Sequence, residues 1–198
     1  MEKTRSFIAI NLPEDIKSYL KGVLENLKKV NPQGIKWVNP EGLHITLHFL
    51  GFCDLDLLQE TSKIIEREIK NLPSDKEKIL ELKDLGVFPN LNLPRVVLLN
   101  ADELNGDYFR QIRKKIGMDL EKIGIRLDYR PWQPHITLGR RNFVDENAPV
   151  VLKDIKIENL NFKVNSIELM KSELTPAGAK YSIIKSFPIR APLEIHNF

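Results

Sequence analysis

Cysteine is nearly absent from this chain: among 198 residues, Cys53 stands alone. One thiol excludes an internal disulfide framework and a cysteine-based zinc site, and it fits a reducing cytoplasm. Long apolar runs are missing as well. No stretch approaches the roughly 18 apolar residues that a membrane-spanning helix needs. The opening residues 1–10 carry too short an apolar run for a secretory leader, and Pro13 closes it. Low-complexity tracts and flexible linkers are lacking, so residues 1–198 read as a single domain with room for two small lobes. Charge of one sign is not in excess: 30 Lys and Arg stand against 27 Asp and Glu, a net of +3. That balance permits an anionic partner without demanding one, and the basic residues are dispersed as on a solvated surface. Histidine is scarce too, at four residues, which makes its placement informative.

Periodicity supplies the coarse organisation. A short apolar strand over 7–10 is followed by Pro13 and a helical pattern through Ile16, Leu20, Val23, Leu24, Leu27 and Val30. Strands are predicted over 35–38 and 43–50, then a second amphipathic helix through Leu57, Leu58, Thr61, Ile64, Ile65 and Ile69, stopped by Pro73. Strand-like runs over 79–82 and 95–99 flank a Gly/Pro/Asn-rich connection. From Glu103, the apolar positions Leu104, Phe109, Ile112, Ile116, Leu120 and Ile123 predict a third helix, with Gly124 placed to end it. A strand over 135–140 and two closing runs, 162–170 and 181–189, complete the chain. The short turn between the last two suits antiparallel pairing, so the fold class is α+β.

Two of the four histidines head the same tetrapeptide. His44-Ile45-Thr46-Leu47 continues into His48-Phe49-Leu50-Gly51, and His135-Ile136-Thr137-Leu138 into Gly139-Arg140. On a strand, successive side chains alternate between faces. Ile45, Leu47 and Phe49 then face a core, while His44, Thr46 and His48 line the other side. Ile136 and Leu138 likewise go inward, His135 and Thr137 outward. Each strand thus offers an imidazole and a hydroxyl roughly 6.6 Å apart along the backbone.

Two imidazoles titrating near neutrality supply one group to accept a proton and another to donate one. Thr46 and Thr137 are suited to hydrogen-bond the non-bridging oxygens of a phosphate, and Arg140 adds a planar cationic fork for the same group. That chemistry requires no metal and no nucleotide cofactor. A site made of His44, His48 and His135 is disfavoured for zinc, because a strand separates the first two by roughly 13 Å. His48 has no counterpart in the second copy and is read as a supporting residue beside the substrate or a structural one. Arg130 is a further candidate for the cleft rim. Phe7, Trp37 and Trp132 are either base-stacking surfaces or core. Cys53 has no neighbouring base and is read as structural; Lys114 and Lys115 as a wet helix face; His196 as exposed.

The two motifs resemble the paired HxTx motifs of the two-histidine phosphoesterases, and most closely those of the RNA 2′,3′-cyclic phosphodiesterases, also called 2′-5′ RNA ligases. The likeness extends through Arg5-Ser6-Phe7-Ile8-Ala9-Ile10-Asn11-Leu12-Pro13, Trp37-Val38, Pro134, Ile167-Glu168-Leu169 with Lys171-Ser172, and Gly178-Ala179-Lys180-Tyr181. What this resemblance implies is a bilobal, pseudo-symmetric α+β fold. Two antiparallel sheets flank a central cleft with helices on the outside, and each lobe gives one motif. It also implies an RNA-processing hydrolase that opens terminal 2′,3′-cyclic phosphates to 2′-phosphates; a cytoplasmic monomer is expected. His44 is then the proton donor, His135 the acceptor and Arg140 a substrate contact. RNA ends such as those of tRNA halves are the implied partners, and 2′-5′ ligation the reverse activity. The rivals are the same chemistry on small cyclic nucleotides, and a non-catalytic RNA-end binding module.

Overall fold

In the computed structural model the described residues are 3–72, 76–128, 130–141, 150–153, 155–175 and 178–189. In chain order they form β1 (Thr4–Asn11), α1 (Glu14–Val30), β2 (Ile35–Trp37), a 3₁₀ turn (Pro40–Gly42), β3 (His44–Cys53) and α2 (Leu55–Asn71). There follow β4 (Ile79–Phe88), β5 (Val96–Glu103), α3 (Tyr108–Lys122), β6 (His135–Arg141), β7 (Asn161–Lys163), β8 (Ser166–Thr175) and β9 (Gly178–Pro188). Among the described residues no helix is long and apolar enough to cross a membrane. Pro73 and His196 lie outside the described residues.

Each helix has a physical start. Pro13 precedes α1, with Glu14 and Asp15 in the first turn and Lys28 and Lys29 in the last, which complements the helix dipole. The Asp54 side chain caps α2 by accepting from the Leu57 N–H at 3.0 Å. The third helix begins at Tyr108, later than its apolar pattern predicts. Gly106, at φ 116°, turns the chain first. Glu103 stays at the end of β5, where its carboxylate accepts from the N–H groups of Phe109 (2.7 Å) and Arg110 (3.0 Å). Gly124, at φ 86°, ends α3 as expected.

The strands run β7-β4-β5-β6-β3-β1-β8-β9 across the sheet, with β2 added to β6. All pairings are antiparallel. The α+β, pseudo-symmetric expectation is met: β1–α1–β3 and β5–α3–β6 are equivalent strand–helix–strand units meeting at the centre. The two sheets are halves of one nine-stranded sheet, joined by a single residue pair, Ile45 opposite Ile136. Those are the second residues of the two motifs, so the pseudo-twofold relation passes between the motifs themselves. The first of the two closing runs, 162–170, is two strands rather than one. Phe162 in β7 pairs with Leu80, whereas β8 begins at Ser166 beside β9 in the other half.

The main core lies on the helix side. Ile8, Ile10, Ile45, Leu47, Leu80, Leu82, Leu99, Ile136, Leu138, Ile167 and Leu169 meet the buried stripes of the three helices there. A second, smaller cluster of Phe7, Ala9 and Met170, with Tyr181 packed on it, sits apart from that core. It builds one wall of the candidate site.

Candidate active site

Both motifs alternate as predicted through their first four residues: Ile45, Leu47, Ile136 and Leu138 are buried in the core, and His44, Thr46, His135 and Thr137 are half-buried on the other side. The alternation then breaks, at the same place in each copy. Ile8 pairs with His48 but the next residue, Ala9, pairs with Thr46, so Leu47 is an extra residue. Val97 pairs with Gly139 and Leu98 with Thr137, so Leu138 is extra in the same way. These are β-bulges, and each shifts everything beyond it to the opposite face.

This corrects the placement of His48 beside the substrate. His48 follows Leu47 into the interior, where it is 5% exposed. Its Nε2–H donates to the Arg113 carbonyl of α3 at 2.8 Å. Helix α3 approaches so closely that a Cβ on Gly117 would stand 3.1 Å from His48 Cε1. Burial drives the His48 pKa down to about 4, so the ring is neutral at neutral pH. Phe49 shifts the other way. Expected in the core, it is 60% exposed, with its ring 6.4 Å from that of Phe7.

The same shift places Arg140. Strict alternation would send it inward with Ile136 and Leu138; beyond the bulge it is exposed, and its charge acts on His44. Gly139 takes the position that His48 holds in the first copy. A side chain does not fit there, since a Cβ would lie 2.7 Å from Ile35 Cγ2 and 2.9 Å from Trp37 Cε3.

The histidines are anchored alike. His44 Nδ1 lies 2.7 Å from the Gly42 carbonyl, and His135 Nδ1 lies 2.8 Å from the Gln133 carbonyl, in each case two residues upstream. A carbonyl only accepts, so both Nδ1 atoms carry hydrogen and Nε2 is the nitrogen left for a ligand. Burial holds the His44 imidazole below its ordinary 6.5, the Gly42 carbonyl opposes this, and the charges of Arg140 and His135 lower it further. The Phe7 ring stands 4.8 Å from the His44 ring, and Tyr181 meets His44 edge-on at 5.0 Å.

Motif carbonyls around the bulges are satisfied by groups from other elements. The Leu138 carbonyl accepts from the Val38 N–H at 2.8 Å. The Leu47 carbonyl accepts from Arg113 Nε at 2.9 Å, and the Thr46 carbonyl from Trp132 Nε1 at 3.0 Å. Trp132 is therefore a brace for the first motif, with the Arg113 guanidinium 5.9 Å above its ring. Trp37 packs over Gly139, and Phe7 is buried beside His44. Arg130 pairs with Asp128 and lies over Phe88. Cys53 is buried. Tyr181 stands in a segment of family likeness but is not singled out by it, and Arg113 and the two upstream carbonyls carried no sequence signal of their own: Gly42 and Gln133 share only their spacing from histidine. Two imidazoles, two hydroxyls and a guanidinium thus share one face, a set suited to hold a tetrahedral anion and move protons at two points.

Comparison with known proteins places the chain in a family. A profile described as LigT like Phosphoesterase matches residues 10–98 and 102–181. The RNA 2′,3′-cyclic phosphodiesterase of Methanocaldococcus jannaschii is 35% identical over 187 residues, covering 92% of this chain and 99% of that protein. The protein of the same name from Methanothermobacter thermautotrophicus is 30% identical, covering 93% and 98%. Among solved structures, that of TT0787 of Thermus thermophilus has a TM-score of 0.76 at 29% identity, covering 94% of this chain and 98% of that one. E. coli LigT complexed with 3′-AMP shares the fold, with a TM-score of 0.77 at 24% identity over 96% of this chain and all of that one. Profile, relatives and fold all span both motifs, and the chain belongs to the LigT-like phosphoesterase family.

Proposed function

We propose that this protein is an RNA 2′,3′-cyclic phosphodiesterase that opens a terminal cyclic phosphate to a 2′-phosphomonoester by metal-independent acid–base catalysis. The observation that carries the reading is the duplicated anchoring: two histidines at equivalent positions, each with Nδ1 held by a carbonyl two residues upstream. The names of the M. jannaschii and M. thermautotrophicus relatives support the same substrate.

In this mechanism His135 Nε2 takes a proton from water as the water oxygen bonds to phosphorus. The bond from phosphorus to the 3′-oxygen breaks, and protonated His44 Nε2 gives its proton to that oxygen. Thr46 and Thr137 hydroxyls donate to the non-bridging oxygens, and Arg140 balances their charge. His44 is held below 6.5 in the free protein, and the anionic substrate is what restores its proton on binding. Residues 1–198 act as one two-lobed unit. Both histidines come from one chain, so a monomer holds the whole acid–base pair. Lone Cys53 fits a cytoplasmic setting, and RNA ends such as those of tRNA halves are suitable substrates.

The test is incubation of an RNA ending in a 2′,3′-cyclic phosphate with the protein in EDTA, identifying the product. A 2′-phosphate is expected, with His44→Ala and His135→Ala each lowering turnover by about 10²- to 10⁴-fold without loss of fold. Wild-type turnover in either variant, or dependence on added metal, would overturn the mechanism.

A further inference from the structure

Strand β2 sets a lysine against the candidate phosphate-binding arginine. Ile35, Lys36 and Trp37 pair with Arg141, Arg140 and Gly139 of β6. Directly paired residues share a face. Ile35 and Trp37 project toward Gly139, on the side that Gly139 turns inward, so Lys36 lies on the other side, with Arg140 and the histidines. On its far side Arg140 is flanked by Val96, which is apolar. Lys36 and Arg140 are both exposed, and neither forms an ion pair with a carboxylate among the described residues. Like charges directly opposite on neighbouring strands repel, and they are tolerated where an anion lies between or above them. The Lys36 stem is also directed. Its Cε and Nζ stand 3.5 and 3.9 Å from where a Cβ on Gly178 would lie, which carries the ammonium from β2 in one half toward β9 in the other.

We propose that Lys36 binds the RNA phosphodiester next to the reacting phosphate, on its 5′ side, and so makes this site prefer an RNA chain over a cyclic mononucleotide. This inference rests on the cyclic phosphodiesterase reading. Arg140 serves the terminal phosphate, which every such substrate has. Lys36, one strand further out, serves a group that a mononucleotide lacks. A flexible ammonium suits this role because it is a point charge that follows a backbone without fixing its orientation.

The experiment compares a 2′,3′-cyclic mononucleotide with a short oligonucleotide of the same 3′ base ending in the same cyclic phosphate. The wild-type protein is expected to favour the oligonucleotide in kcat/KM. Lys36→Met keeps the apolar stem and removes the charge. It should lower kcat/KM for the oligonucleotide about 5- to 10-fold, mostly through KM, and leave the mononucleotide unchanged. The dependence of log Kd on log salt for a product oligonucleotide with a 2′-phosphate should become shallower by about 0.7, and Lys36→Arg should restore both. Equal losses on the two substrates, or an unchanged ratio and salt slope, would overturn the role of Lys36. If the wild-type protein opens neither substrate, the cyclic phosphodiesterase reading itself falls, and this one with it.

Discussion

The two motifs are identical over four residues, and their backbones are alike through the bulge. Each begins with a histidine tied to the carbonyl two residues before it, crosses the centre at an isoleucine, and bulges at a leucine. They part after the bulge. Where the first has His48 and Phe49, the second has Gly139 and Arg140. His48 reaches α3, whereas Gly139 yields its space to Ile35 and Trp37. Phe49 gives the site face an exposed ring, whereas Arg140 gives it a charge. The difference teaches that the placement of the two histidines is set by a duplicated backbone. Beyond the bulge the two copies diverge: His48 packs against a helix, whereas Arg140 is exposed on the site face.

Exchanging those residues tests the comparison. Gly139→His writes the first motif into the second and has the largest expected effect. No α3 contact awaits the imidazole there, and Ile35 and Trp37 must both move, at a cost above roughly 3 kcal/mol. A lowered Tm with altered Trp37 fluorescence would report β2 lifting from β6; unchanged stability would mean that the position is roomier than the contacts indicate.

The reverse exchange, His48→Gly, removes a buried hydrogen bond and opens a cavity against α3, for about 2–3 kcal/mol at neutral pH. It also carries a pH signature. The folded His48 pKa is about 4, against 6.5 for the ordinary group. Above pH 6.5 neither state is protonated and the stabilisation is complete. Between pH 6.5 and 4 the unfolded chain binds one more proton, so stability falls with pH, by about 2 kcal/mol between pH 7 and pH 5. His44 adds in the same direction. Urea unfolding at the two pH values should show this loss in the wild-type protein and much less of it in His48→Gly.

The smallest effect is expected from Trp132→Phe, which keeps an aromatic ring and deletes the N–H that holds the Thr46 carbonyl. About 1 kcal/mol of stability should be lost, with kcat reduced several-fold at unchanged KM. Equal kcat in variant and wild type would make the brace purely structural.

Much of this was legible in the sequence. Apolar spacing located α1 and α2, and alternation placed Ile45, Leu47, Ile136 and Leu138 inward with the histidines and threonines opposite. The bulges were not legible, because they leave the letters untouched: His48 reads as polar and Phe49 as apolar, so the pattern continues on paper while the chain has changed phase. The bulge is held by Arg113 of α3, whose carbonyl and guanidinium meet His48 and Leu47 from 65 and 66 residues away in the chain. The continuous sheet was hidden for a similar reason, since a single pair at Ile45 and Ile136 joins its halves. Glu103 read as helix because its role as a remote cap depends on where β5 ends.

That single pair is also a mechanical fact. A joint one residue wide leaves the spacing of the two imidazoles to whatever else ties the halves together. Hydrogen bonds also cross it, from Arg113 to the Leu47 carbonyl, from Trp132 to the Thr46 carbonyl and from His48 to the Arg113 carbonyl, and none of these three involves His44 or His135. The gap between His44 and His135 therefore rests on contacts outside the two imidazoles, and it tolerates changes in the side chains that line it as long as those contacts hold.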